Sequence, residues 1–261
     1  MFFSQSSIDS LYTVWKDKTQ KKSDRGFAYL NYIYELKPEV YPDSILKLSR
    51  ELYNFSLKNK DTIGTIDVLS LIGYTYFETG NYPKAVDSYN EAITFAKTIN
   101  DSSGLANLYL KLGIIHHDNG DLIKGIDFYQ KSEELYIEIE DEIGLGSIYN
   151  EFGSLYLAEG DFDKSLEYYQ KSLQMCQDKN DMDDCSAQLS NLGSLFFGKK
   201  EYSKAREYYH RSLEISRKLK SRYGIADSYS GIGQTFFEEG ENDKALEFLN
   251  KSLDIYKSMD N

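Results

Sequence analysis

Gly73, Gly113, Gly153, Gly193 and Gly233 fall every forty residues, and this interval constrains the fold more than any other feature of the chain. Other columns keep the same step. Gly80, Gly120, Gly160 and Gly240 form a second one, broken only by Lys200, and Lys84, Lys124, Lys164, Lys204 and Lys244 form a third. Ala85, Gly125, Ser165, Ala205 and Ala245 are all small, whereas Tyr89, Tyr129, Tyr169, Tyr209 and Leu249 are all large. A fixed period of this size belongs to stacked supersecondary units, each too small to bury its apolar face without its neighbours.

Inside one unit, IYNEFGSLYLAEG sets Ile148, Tyr149, Phe152, Leu155 and Tyr156 at helical spacing, which predicts an amphipathic helix. Gly160 then reads as a left-handed cap and Asp163 as the N-cap of a second helix, KSLEYYQKSLQM, with Leu166, Tyr169 and Leu173 on its apolar face. The expectation is one antiparallel helix pair per unit and an all-α fold. Gly153 and Ser165 leave room for the two backbones to approach, with Tyr169 filling the space beyond. The lysine column reads as i,i+3 ion pairs on a solvated face: Lys84 with Asp87, Lys164 with Glu167, Lys204 with Glu207.

The segment GSIYNEFGSLYLAEGDFDKSLEYYQKSL resembles the tetratricopeptide repeat through Tyr149, Phe152, Gly153, Tyr156, Gly160, Phe162, Ser165, Tyr169 and Ser172. Five such units begin near Thr65, Leu105, Leu145, Cys185 and Ile225 and span residues 64–261. They exceed the common repeat length of about 34 residues, and Gln177 stands where a proline usually follows the second helix. Longer helices or longer turns between units are therefore expected. The resemblance implies an α-solenoid, a right-handed superhelix of antiparallel helix pairs. Residues 24–63 read as a degenerate first unit, and residues 1–23 as an N-terminal capping helix with Leu11, Val14 and Trp15 turned inward. At the other end SMDN aligns with TIND of the first full unit, and no polar capping helix follows, as though the array were truncated at residue 261.

Forty-two acids against thirty bases give a formal charge of −12, which would repel phosphate backbones and anionic membranes. Nucleic acid is not an expected partner. No apolar run reaches the roughly 18 residues of a membrane helix, so membrane insertion is not expected either. The opening MFFSQSS is compatible with the remnant of a trimmed signal peptide. A cytoplasmic location is expected, with an extracytoplasmic one as the alternative. Cys176 and Cys185 lie nine residues apart with no second pair, and they read as half-buried free thiols rather than a zinc motif or a disulfide framework.

His116 and His117 stand side by side next to Asp118, a cluster that raises the question of a metal or acid–base site. The repeat supplies controls. His116 occupies the column of Tyr76, Tyr156, Phe196 and Phe236, and His117 that of Phe77, Leu157, Phe197 and Phe237. Adjacent helical positions point about 100° apart, so the two imidazoles do not converge on one ion. His210 falls in an outward column with Asn90, Gln130, Gln170 and Asn250. His116 therefore reads as a packing residue, and no metal, cofactor or catalytic group is expected.

The resemblance implies that the first helix of each unit lines a concave groove. Carried over position by position, the groove residues are Tyr74 and Phe77 in the first full unit, then Asn107, Ile114 and His117, with Lys111 one position off the main set. Asn150, Ser154 and Leu157 follow in the third unit, Asn191, Ser194 and Phe197 in the fourth, and Gln234 and Phe237 in the fifth. Asp67, Ser70, Leu110, Ser190 and Asp227 belong to the same set of positions. Its acids favour an apolar or basic segment over a free C-terminal carboxylate. Forty-residue spacing of this kind resembles adaptors and bacterial regulators that bind peptides. A non-enzymatic scaffold is thus the leading expectation, serving as the sensing or docking module of a larger signalling protein such as a kinase, a cyclase or a transcription regulator. Self-association through Leu246, Leu249, Leu253 and Ile255 is the alternative, and a hydrolase using His116, His117 and Asp118 ranks third.

Overall fold

The computed structural model describes residues 5–36, 41–179 and 181–259. Among them are thirteen α-helices and no strand. The chain divides into two compact units, one ending at Ile139 and the other starting at Glu140. The first holds α1 (Gln5–Lys16), α2 (Lys22–Tyr34), α3 (Pro42–Asn59), α4 (Thr62–Glu78), α5 (Tyr82–Thr98), α6 (Ser102–Asp118) and α7 (Leu122–Glu138). The second holds α8 (Glu142–Glu159), α9 (Phe162–Asp178), α10 (Met182–Gly198), α11 (Tyr202–Leu219), α12 (Arg222–Glu238) and α13 (Asn242–Lys257). The fold is an α-solenoid of antiparallel helix pairs. The segment read as a signal-peptide remnant falls largely outside the described residues.

Two 17-residue helices, α4 and α5, with the three-residue turns after each, account for the forty-residue period. The extra length relative to the common repeat thus lengthens the helices and leaves the turns short. Within the repeats the turn is closed by Gly80, Gly120, Gly160 and Gly240 at φ between 71° and 79°, and by Lys200 at 61°. The turns between repeats use non-glycine residues in the same left-handed region, Lys60, Asn100, Glu140 and Lys220.

Caps recur every twenty residues. The side chains of Asp61, Asn81, Asp101, Asp121, Asp141, Asp161, Asp181 and Ser221 each accept a hydrogen bond from the amide three residues ahead. The N-cap of α9 is therefore Asp161 and not Asp163. Gly160 is left-handed as expected, but α9 begins directly after it at Phe162, so Asp161 is the residue facing the free amides.

The lysine pairing also differs from expectation. Lys124 and Lys164 reach back to the caps Asp121 and Asp161 at 2.8 and 3.2 Å, Lys204 reaches Glu201 at 3.1 Å, and Lys244 pairs with Glu241. The forward acids are taken by other lysines: Asp127 by Lys131 and Glu167 by Lys171. A lysine in the first turn sits beside the cap carboxylate, and its stem there also carries the ammonium over an aromatic ring. Lys84, Lys164, Lys204 and Lys244 lie 4.6–5.2 Å from the ring centres of Tyr76, Tyr156, Phe196 and Phe236.

The glycine and tyrosine columns meet directly. A Cβ placed on Gly153 would lie 2.5 Å from Tyr169 Cδ1, and the same holds for Gly73 on Tyr89, Gly113 on Tyr129 and Gly193 on Tyr209 at 2.8, 2.3 and 2.6 Å. Tyr169 therefore lies across the glycine rather than beyond it, and it is almost fully buried. Ser165 secures the same crossing by donating to the Gly153 carbonyl at 2.8 Å. Two helical turns further on, Ser132, Ser172 and Ser212 each donate at 2.8 Å to a carbonyl on the first helix of their own repeat, from Ala106, Gly146 and Ser186. Short hydroxyls thus permit close packing and satisfy their own polarity.

At the N-terminal end Trp15 of α1 stacks on Tyr29 at 4.2 Å and meets Phe55 edge-on at 4.7 Å. Trp15 is buried as expected, while Leu11 and Val14 are half-buried. The cysteine expectation is overturned: Cys176 and Cys185 form a disulfide, and both are buried. They lie in the last turn of α9 and the first turn of α10, where the antiparallel helix ends bring their Cα atoms to 5.4 Å, within bonding reach. The bond ties successive repeats of the C-terminal unit together.

Two substitutions test this packing. Gly153→Ala drives a methyl into the Tyr169 ring and should lower the free energy of unfolding by about 1–3 kcal/mol. Lys200→Gly removes the strain of a left-handed lysine and should raise it by roughly 0.5–1 kcal/mol, net of the extra freedom glycine gives the unfolded chain. Urea denaturation measures both, and the opposite sign for either would refute the assigned geometry.

Candidate functional site

The first helices carry the variable columns, and in the C-terminal unit these link successive repeats through polar contacts. Asn191 Nδ2 donates to Asn150 Oδ1 at 2.7 Å, and Ser190 Oγ donates to Asp227 at 2.6 Å. Asn150 and Asn191 line a cleft of about 300 Å³ with Ser147, Gln188 and Lys179. Asn191 also borders a neighbouring cleft of about 320 Å³ that includes Ser190, Tyr223 and Asp227. In the N-terminal unit a larger cleft of about 550 Å³ brings together Tyr34, Asp67, Tyr74, Asn107 and Lys111 over a floor of Leu30, Ile66 and Leu108.

The remaining expected site residues are less free. Ser154 and Ser194 share hydrogen bonds with the hydroxyls of Tyr169 and Tyr209 at 3.0 and 3.1 Å. Phe77 and Phe197 lie against Tyr82 and Tyr202, and Leu157 packs against the Tyr169–Leu192 core, so all three are half-buried hairpin contacts. Ile114 and His117 are half-buried, and Leu110 is buried. Gln234 is exposed and bonds Ser230, and Phe237 is 62% exposed. Tyr34 escaped the sequence reading, although it stands forty residues before Tyr74 and the column signal was present.

His116 behaves as a flat ring. It stacks on Phe128 at 5.3 Å and 14°, as Tyr156 does on Tyr168, Phe196 on Tyr208 and Phe236 on Phe248, all within 5.2–5.7 Å and 24°. Its acidic neighbour is Asp121, 3.8 Å from Nδ1, and not Asp118. Burial first and then the Lys124 ammonium hold its pKa below the usual imidazole range, outweighing Asp121. The lysine column adds to the effect of burial: where other repeats set a cation over a neutral ring, a protonated His116 would set cation against cation. Among the described residues no group of three or more His, Cys, Asp or Glu is arranged to hold a metal ion, and no helix is long and apolar enough to cross a membrane.

The repeated hairpins, capped turns and variable first-helix columns define the chain as a helical-repeat protein. The tetratricopeptide repeat profiles match residues 66–98, 104–178 and 184–258, and the chain belongs to the tetratricopeptide repeat family. Among solved structures it is similar to BtubC (BKLC) from P. vanneervenii, at 18% identity and a TM-score of 0.69 over 86% of this chain and 92% of that one. It is also similar to aspartyl phosphate phosphatase F from Bacillus subtilis, at 16% identity and 0.71 over 99% and 76%. A STAND protein with a tetratricopeptide repeat sensor from Pyrococcus horikoshii aligns at 18% identity and 0.66, over 99% of this chain and 42% of that one. No curated protein matches the sequence significantly. At these identities the likeness is one of fold.

His116→Phe should leave stability unchanged or raised at pH 8. The native state binds the proton of His116 less tightly than the unfolded chain, so wild type loses stability as pH falls through about 6.5, down to the depressed native pKa. The advantage of the phenylalanine variant should open across that window in thermal melts. A variant less stable at all pH values would show that the imidazole has a polar role.

Proposed function

We propose that the chain is a non-enzymatic scaffold that holds an extended protein segment against the first helices of its repeats, as the docking or sensing module of a larger signalling protein. The observation that carries this reading is the pair of inter-repeat contacts Asn191–Asn150 and Ser190–Asp227. They sit in columns that the hairpin packing does not dictate, and amide and hydroxyl groups so spaced match the main-chain donors and acceptors of an extended peptide. The likeness to a Rap protein solved with Competence and Sporulation Factor, at 13% identity and a TM-score of 0.69, supports a peptide as ligand, and that to the STAND protein supports a sensing role. A charge of −12 favours basic or apolar segments.

The test is selection of peptides from a randomised library of extended sequences by the full chain, followed by the double substitution Asn150→Ala, Asn191→Ala. Selected peptides should lose about tenfold or more in affinity while the melting temperature barely moves. Selection no better than for an unrelated helical protein would sink the reading. Phe197→Ala is unsuited to this purpose, because Phe197 contributes to the hairpin core.

Self-association is the second reading, favoured by Leu246 and Leu253 on α13, which are 59% and 46% exposed. Sedimentation at increasing concentration should reveal a dimer that Leu246→Glu with Leu253→Lys abolishes; a monomer at all concentrations would dismiss it.

A further inference from the structure

The cleft of the N-terminal unit differs from its counterparts in the repeat, and the difference has a chemical meaning. Asp67 and Asp227 occupy the same column. Asp227 receives a hydrogen bond from Ser190 of the preceding repeat. The residue that matches Ser190 in front of Asp67 is Leu30, which has nothing to donate. Asp67 is half-buried, and the carboxylates of Asp61 and Asp101 lie near it. Burial first and then these two charges hold its pKa above the usual carboxylate range, with no opposing hydrogen bond or cation. Asp61 and Asp101 are themselves occupied as helix caps.

A second difference lies beside it. Tyr34 and Tyr74 share a column that in the C-terminal unit holds Ser154 and Ser194. There the serines close onto tyrosine hydroxyls; Tyr34 and Tyr74 line the cleft with 44% and 37% of their surface exposed. The cleft thus combines an apolar floor, phenol rings and an uncompensated carboxylate. Each part suits a different portion of one long, planar cation.

We propose that this cleft is a subsite for an arginine side chain of the segment bound by the scaffold. The aliphatic stem lies on Leu30, Ile66 and Leu108, the guanidinium plane faces the rings of Tyr34 and Tyr74, and its N–H groups donate to Asp67. Arginine fits better than lysine because its guanidinium is weakly hydrated, stacks on aromatic faces and meets a carboxylate in two parallel hydrogen bonds. Lys111 stands exposed at the same cleft. The proposal rests on the peptide-binding reading.

The full chain with ring-labelled tyrosine is titrated with N-acetylarginine methylamide and with the lysine and citrulline analogues, using Tyr34→Phe and Tyr74→Phe for assignment. Saturable shifts of the Tyr34 and Tyr74 signals are expected with the arginine compound, smaller ones with lysine and none with neutral citrulline. Asp67→Asn should weaken arginine binding about tenfold or more. It should also melt no lower than wild type at neutral pH, because it removes a charge that folding leaves unpaired. That gain should vanish below about pH 4, where the unfolded carboxylate is protonated as well. Equal responses to arginine and either analogue, or binding unaltered in Asp67→Asn, would overturn the proposal. If arginine fails here while library peptides still depend on Asn150 and Asn191, the subsite falls and the scaffold reading stands. If arginine binds but no peptide is selected, the reverse holds.

Discussion

The structure depends on a ring laid across a glycine. In four successive hairpins a tyrosine of the second helix covers the glycine of the first, so closely that even a methyl group has no room. The contact fixes the distance between the two helices and the rotation of each, because a ring can cover only a residue that has no side chain. Everything further out inherits its position from that crossing: the small residue at the tip, the serine hydroxyls on first-helix carbonyls, and the turn held by a left-handed residue. Dispersion at such short range is individually weak, but it acts over a whole aromatic face in four of the five repeats, with Leu249 taking the place in the last.

A second layer on the outside of the hairpin is electrostatic. A cap carboxylate anchors the lysine three residues on, and the lysine covers the ring of the first helix, which itself stacks on a ring of the second. Exposed ion pairs of this kind contribute little singly, yet the lysine adds to burial in disfavouring the protonated form of His116. His116 therefore takes the chemistry of its neighbours, and its proximity to His117 is a consequence of sequence adjacency.

Once packing columns are assigned to the hairpins, the columns left over carry the individuality of the chain. In the C-terminal unit they are short and polar and bond one another across repeats. In the N-terminal unit they are tyrosines around a carboxylate that nothing compensates. A fold built by repetition permits such departures, because the packing columns recur from repeat to repeat whatever stands between them.

The sequence alone determined the all-α hairpin repeat, its period, its glycine turns and the packing role of His116, because residues forty apart meet the same neighbours and must solve the same steric problem. It did not determine which carboxylate each lysine meets or that Asp161 rather than Asp163 caps α9, since several acids lie within a helical turn and only the turn geometry chooses. Nor did it reveal the Cys176–Cys185 bond, which depends on two successive helix ends being brought side by side. The fate of Phe77, Leu157 and Phe197, drawn into the hairpin core, and of Tyr34, drawn into a cleft, was likewise decided by tertiary structure. A column states that a side chain shares its environment with its counterparts, whereas the direction in which that environment opens is set by the helices packed around it.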